Sequence, residues 1–148
     1  MVLARIPVET QARAAAVQLL GDYAADVGLG LRVWPGRPTA IFAPTAFVDQ
    51  INELLSDYTV SHRQRRVAVQ VLVLHGTYDH KDTVEQRDAF VDGFLDWVAD
   101  RFHAAGGNTL IEVTQVADDP AYLPDWLPAD VTTVYYATRI VLEGFAAT

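Results

Sequence analysis

The chain predicts an α+β fold: a single domain in which a largely antiparallel mixed β-sheet is flanked by two main α-helices. Three observations carry that prediction. Val67, Val69, Val71 and Val73 alternate with Ala68, Gln70, Leu72 and Leu74, which is the period of a strand with one firmly buried face. Two long segments, near the start and in the middle, repeat apolar residues at helical spacing. The remaining strand-like runs are neighbours in sequence and are joined by turn chemistry, which favours antiparallel pairing.

The elements follow in order. Pro7 suits the opening of a helix over Val8–Val27, because a first-turn residue needs no amide hydrogen. Ala12, Ala16, Leu19, Leu20, Tyr23 and Val27 form its apolar face, and Gly28 supplies the stop. Two short apolar runs, 31–34 and 39–43, flank a turn at Pro35-Gly36-Arg37-Pro38 and read as short strands. Residues 46–55 are ambiguous. Phe47, Ile51, Leu54 and Tyr58 fit a helix, and strict alternation fits poorly, so periodicity slightly favours helix. The valine strand spans 66–75, and its partly apolar second face suggests a central position. A second helix is expected over 83–102, with Asp82 and Glu85 as a capping box and Phe90, Val91, Phe94, Leu95, Trp97, Val98 and Phe102 on its apolar face. Gly106-Gly107 ends it. A strand over 109–116, a proline-rich loop over 118–128 and a last strand over 131–145 complete the chain. In the last strand Val134, Tyr136, Thr138, Ile140 and Leu142 share one face, and Tyr135, Ala137, Arg139, Val141 and Glu143 the other. The expected core joins Leu19 and Tyr23, Phe94, Trp97 and Val98, and the valine strand.

Composition narrows the function classes. The 148 residues are the size of one domain able to bury a core, and 51% are hydrophobic against 20% charged, a globular balance. A net charge of -8 argues against a nucleic-acid-binding surface, which needs clustered cations. The basic cluster of Arg63, Arg65 and Arg66 beside His62 is short and reads as a solvated turn. With no cysteine, disulfides, thiolate metal sites and cysteine nucleophiles are excluded. No stretch approaches a membrane span, no secretory signal is evident at the start, and no repeat or interdomain linker occurs, so a soluble protein made in a cytoplasm is expected.

Few residues are placed for chemistry. His75, Asp79, His80 and Asp82 lie within one connection, and such ligands suit a divalent ion. Neither an i,i+4 His pair nor HExxH spacing supports this, and a polar strand-to-helix connection is the simpler reading. Asp118, Asp119 and Asp125 suggest carboxylates for acid–base work, but an acidic proline-rich loop accounts for them. Ser56 and Ser61 are in no nucleophile elbow, Gly106-Gly107 follows a helix rather than opening one, and His103 suits a helix C-terminus. The expectation is no catalytic residue, no cofactor and no metal. The aromatics Tyr78, Tyr122 and Trp126 sit among Asp and Pro in turns. They either fold back over a core edge or anchor an interface, where Trp and Tyr are enriched.

The string VEQRDAFVDGFLDWVADRFHAAGGNTLIEVTQVADDPAYLPDWLP, with YYATRIVLEGFA near the end and PGRPTAIFAPTAFVD earlier, resembles the tail terminator proteins of long-tailed bacteriophages, especially those infecting actinobacteria. QRDAFVD, HAAGGNTL and YYATRIVLEG are distinctive together, and the resemblance covers nearly the whole chain. It implies a structural virion protein without catalytic residues. Such a protein forms a hexameric ring at the head-proximal end of the tail tube, stops tube polymerisation and presents a joint to the head connector. The implied partners are copies of itself, the major tail tube protein and connector proteins, with DNA passing through unbound. The implied location is the virion, after assembly in the host cytoplasm. The resemblance also implies a strand at PTAFVD pairing with the valine strand, and residues 56–66 then become a hairpin connection. Expected contact residues are Tyr78 and Asp79, the cluster His62, Arg63 and Arg65, and Asp125 with Trp126. The rival readings are another neck protein (head-closure or tail-completion) and a small α+β hydrolase or ligand-binding protein.

Overall fold

The valine strand forms the middle of a five-stranded sheet with order β1-β2-β3-β5-β4. A computed structural model describes residues 8–54, 64–78, 80–104, 110–128 and 132–147. Its elements are α1 (Val8–Val27), β1 (Arg32–Trp34), β2 (Thr45–Leu54), β3 (Gln64–Thr77), α2 (Thr83–Ala104), β4 (Leu110–Tyr122) and β5 (Tyr135–Ala147). β1 pairs parallel with β2, with Trp34 opposite Phe47, and the other three pairings are antiparallel. The fold is α+β with a mixed sheet, and among the described residues no helix is long and apolar enough to cross a membrane.

Both helices lie on one face. Ala12, Ala16, Leu19, Leu20 and Tyr23 of α1 and Phe90, Val91, Phe94 and Val98 of α2 share a buried cluster with Val67, Val69, Val71, Val73, Ile140 and Leu142. Trp97 packs on this cluster partly buried, so the core is the expected one. Where α1 ends, Leu29 N–H donates to Ala24 C=O at 2.9 Å and Gly28 N–H to Ala25 C=O at 3.4 Å. This pair of bonds is a Schellman closure, and it requires the left-handed φ of 68° that Gly28 adopts.

Of the ambiguous residues 46–55, those through Leu54 are strand and residue 55 lies outside the described residues, and the register explains the helical look. Ala46 and Val48 lie opposite Val73 and Val71 on the helix-covered face, and a bulge at Asp49 then inserts one residue. Ile51 therefore returns to that face opposite Val69, while Phe47 faces the other way. The spacing from Phe47 to Ile51 is a broken strand alternation rather than a helix turn.

Four other expectations are corrected. Residues 39–43 form no strand: Pro38 and Pro44 bracket them, and Ile41 packs against the buried cluster that holds Phe47 and Leu74. β4 continues past 116 to Tyr122, through residues expected to be loop. It pairs on one side only, with β5, so Pro120 is tolerated at an edge beside the bulge between Asp119 and Tyr122. Residues 132–134 precede β5 instead of belonging to it. Finally, the Asp82–Glu85 capping box does not form among the described residues. His80 Nδ1 already accepts the Asp82 N–H, at 3.2 Å, which is the bond Glu85 would have made.

Candidate functional site

The expected contact residues separate along β3. Tyr78 follows its C-terminal end, is 55% exposed, and donates its N–H to Val134 C=O at 3.1 Å. Arg65 lies near its N-terminal end, opposite Ala146 of β5. Twelve strand steps from Arg65 to Thr77 at roughly 3.3 Å each put the two ends on the order of 40 Å apart. His62, Arg63 and Asp79 lie outside the described residues, as does the whole connection between β2 and β3, residues 55–63. Asp125 is exposed, next to Trp126.

Trp126 folds back over the sheet. Its indole N–H donates to Pro38 C=O at 2.9 Å, and its ring meets Phe47 edge-on at 5.3 Å between centroids. The Arg37 guanidinium lies over the ring, 5.1 Å from its centroid, a cation–π contact. Arg37 Nε in turn stands 3.5 Å from Asp49 Oδ1, and Gln70 Nε2 donates to Asp49 Oδ2 at 3.2 Å. Burial, with the Asp49 carboxylate adding to it, pushes the Tyr122 phenol up to about 12. The bulged residue of β2 and the loop aromatics thus close one end of the face that the helices leave bare.

A second assembly is centred on His75. This residue continues the valine alternation to the helix-covered face and is only 3% exposed. Its Nε2 lies 2.8 Å from Thr138 Oγ1 on β5, and that hydroxyl donates to Asp118 Oδ1 on β4 at 2.9 Å. Arg87 Nε of α2 donates to the same oxygen at 3.0 Å and Arg87 also pairs with Asp88. Thr138 has one hydrogen, and a carboxylate only accepts, so the His75 ring must donate from Nε2. Its Nδ1 is left as a lone-pair acceptor with no partner among the described residues. Desolvation, then the Arg87 charge, lowers the ring from 6.5 to about 4, against the opposing pull of Asp118 and Asp88.

His75 also lines a cavity of about 590 Å³ between α1, α2 and the loop before β2. Its walls include Val27, Leu29, Pro44, Ala89 and Phe90, and Gln86 supplies an amide. Tyr23 closes the inner side, where its hydroxyl donates to Phe90 C=O at 3.3 Å. Gly93 permits this approach, because a Cβ there would stand 2.6 Å from the Tyr23 oxygen.

No family model matches the chain, and no curated protein matches it.

The His75 chain differs from a catalytic triad in its order. The hydroxyl lies between the ring and the carboxylate and gives its proton to Asp118, so the ring does not activate it. His75 and His80 do not converge: one is buried under α2 and the other exposed at the turn. Among the described residues no three His, Asp or Glu side chains gather as a metal would need. Sequence reasoning missed the cavity and the links to Thr138 and Asp118. One signal was present: Thr138 is a polar residue on an apolar strand face, and His75 extends the period of Val67 to Val73.

Proposed function

We propose that this chain is a structural virion protein that forms a ring at the head-proximal end of a long phage tail, ends tube polymerisation and joins the tail to the head connector. The separation of Tyr78 from Arg65 along β3 is the observation that carries the reading. A closed ring needs head-to-tail contacts, in which two different patches on each subunit meet. Tyr78, exposed and followed in sequence by Asp79, at one end and Arg65, preceded in sequence by His62 and Arg63, at the other are suited to that need, and the charges of the two stretches are complementary. The family resemblance and the α+β fold, with two helices on a mixed sheet, support the same reading. The surplus acid, 19 Asp and Glu against 11 Lys and Arg, suits a channel whose walls repel passing DNA. The subunit acts by shape and charge and performs no chemistry.

Deleting the gene from the phage tests this. The expected result is overlong tail tubes without heads. Loss of a head-closure protein would instead leave tails of normal length beside filled heads, and that result would reject the terminator reading in favour of the rival neck role. A strictly monomeric protein in assembled particles would reject the ring itself.

A further inference from the structure

The cavity at His75 is lined by none of the residues proposed above as ring contacts. We propose that it is a binding site for a small, neutral, mostly apolar molecule carrying a single N–H or O–H donor.

Its volume of about 590 Å³ falls in the range of small-molecule sites, and its walls are apolar with a few convergent polar groups, as such sites are. Among the described residues no charged side chain lines it, so an ion entering it would lose water without gaining a counter-charge from them. The recognition group is built rather than incidental. Arg87 fixes Asp118, Asp118 fixes Thr138, and Thr138 holds the Nε2–H of a ring that is 3% exposed. That chain leaves the Nδ1 lone pair as an unpartnered acceptor on a residue that lines the cavity. Because Arg87, Asp118 and Asp88 are the charged groups acting on the ring, and burial outweighs the two carboxylates, the ring stays an acceptor down to about pH 4. A bound donor gains a hydrogen bond there, while an apolar body covers Val27, Leu29, Ala89 and Phe90. The Gln86 amide offers a second polar contact. This site is independent of the ring reading and holds or falls separately from it.

Phenol, indole and toluene are suitable probes, titrated into the intact protein while the methyl resonances of Val27 and Leu29 and the His75 ring nitrogens are followed by NMR. Phenol and indole are expected to shift all of these and to bind about five- to tenfold more tightly than toluene, the worth of one hydrogen bond. His75→Phe should level phenol with toluene. Ala89→Trp, a change at an exposed α2 position, should fill the cavity and abolish binding of every probe while the melting temperature is kept. The proposal is overturned if toluene binds the wild-type protein as tightly as phenol, or if no probe moves these resonances. It is overturned equally if they move with protein concentration in the absence of probe, since a second copy would then occupy the cavity.

Discussion

The two faces of the sheet are built from the same strands and differ in what covers them. On one face Val67, Val69, Val71, Val73, Ile140 and Leu142 lie wholly under α1 and α2. On the other, Phe47, Leu72, Leu74, Tyr135 and Ala137 are sealed at one end by Trp126, Tyr122, Ile41 and Trp34. Beyond that end the same face continues with Arg66, Ala68, Gln70, Val141 and Glu143 half-buried, and with Gln50, Asn52, Glu112 and Gln115 exposed. The folding energy is thus concentrated on one side. The rest of the other side, as far as the described residues show it, is largely polar and suits contact with water.

The sharpest way to break this comparison is to truncate one side chain on each side. Phe94→Ala removes a fully buried ring from the helix-covered face and is expected to cost about 3–5 kcal/mol, measured by denaturant unfolding. Gln115→Ala, on the bare part of the other face, should stay within about 0.5 kcal/mol of wild type. Equal costs at the two positions would mean that the bare face is part of the core.

How much of this was legible in the sequence follows from the same contrast. The helix-covered face was readable because Val67 to Val73 and the α1 and α2 stripes keep unbroken periods. β2 was ambiguous because the bulge at Asp49 changes the parity of its side chains, and a one-residue insertion makes strand spacing imitate helix spacing. β4 was cut short because Asp118, Asp119 and Pro120 have loop chemistry, which an edge strand accepts and a central strand would not. Trp126 showed two readings, and only its bond to Pro38, 88 positions away in sequence, reveals that it caps the sheet. The His75 cavity was hidden for the same reason: its walls come from α1, α2 and the residues before β2.

His75 puts a polar group on the apolar side, and pH tests whether the seal there holds. The native ring takes up a proton only near pH 4, whereas the unfolded chain takes one at about 6.5. Stability from this group is therefore complete above pH 6.5 and declines as pH falls through that window, because the unfolded state binds the proton first. The total loss is about 3 kcal/mol. His75→Phe should flatten this part of the stability profile, measured by thermal unfolding between pH 7 and pH 4. An unchanged slope in the variant would show that the ring is hydrated in the native protein.

The helix–helix contact gives a smaller effect on the same side. Tyr23 meets Phe90, Phe94 and Trp97 edge-on at 5.4, 5.2 and 5.6 Å, and its hydroxyl makes one bond to Phe90 C=O. Tyr23→Phe keeps the rings and loses the bond, at an expected cost of about 1 kcal/mol. Gly93→Ala should cost more than Tyr23→Phe despite its gain in helix propensity, since the new methyl meets the Tyr23 oxygen at 2.6 Å. In the double variant the methyl no longer meets a hydroxyl, so the two costs should sum to more than the observed loss.

The smallest effect on folding is expected on the bare face, and it is the one that bears on assembly. Arg66 and Glu143 lie on neighbouring strands with Nη2 and Oε2 3.6 Å apart, the guanidinium about a third exposed. Water screens such a pair, so Glu143→Gln should change monomer stability by no more than about 1 kcal/mol. If this face meets a neighbouring subunit or the tube, the same change should alter the mass of the assembled species in analytical ultracentrifugation while the melting temperature holds. If melting falls steeply instead, the pair supports the fold and the two faces are less different than their coverage implies. If neither quantity moves, the Arg66–Glu143 pair takes no part in assembly, and substitution of Tyr78 and Arg65, near the two ends of β3, becomes the next test of the proposed ring.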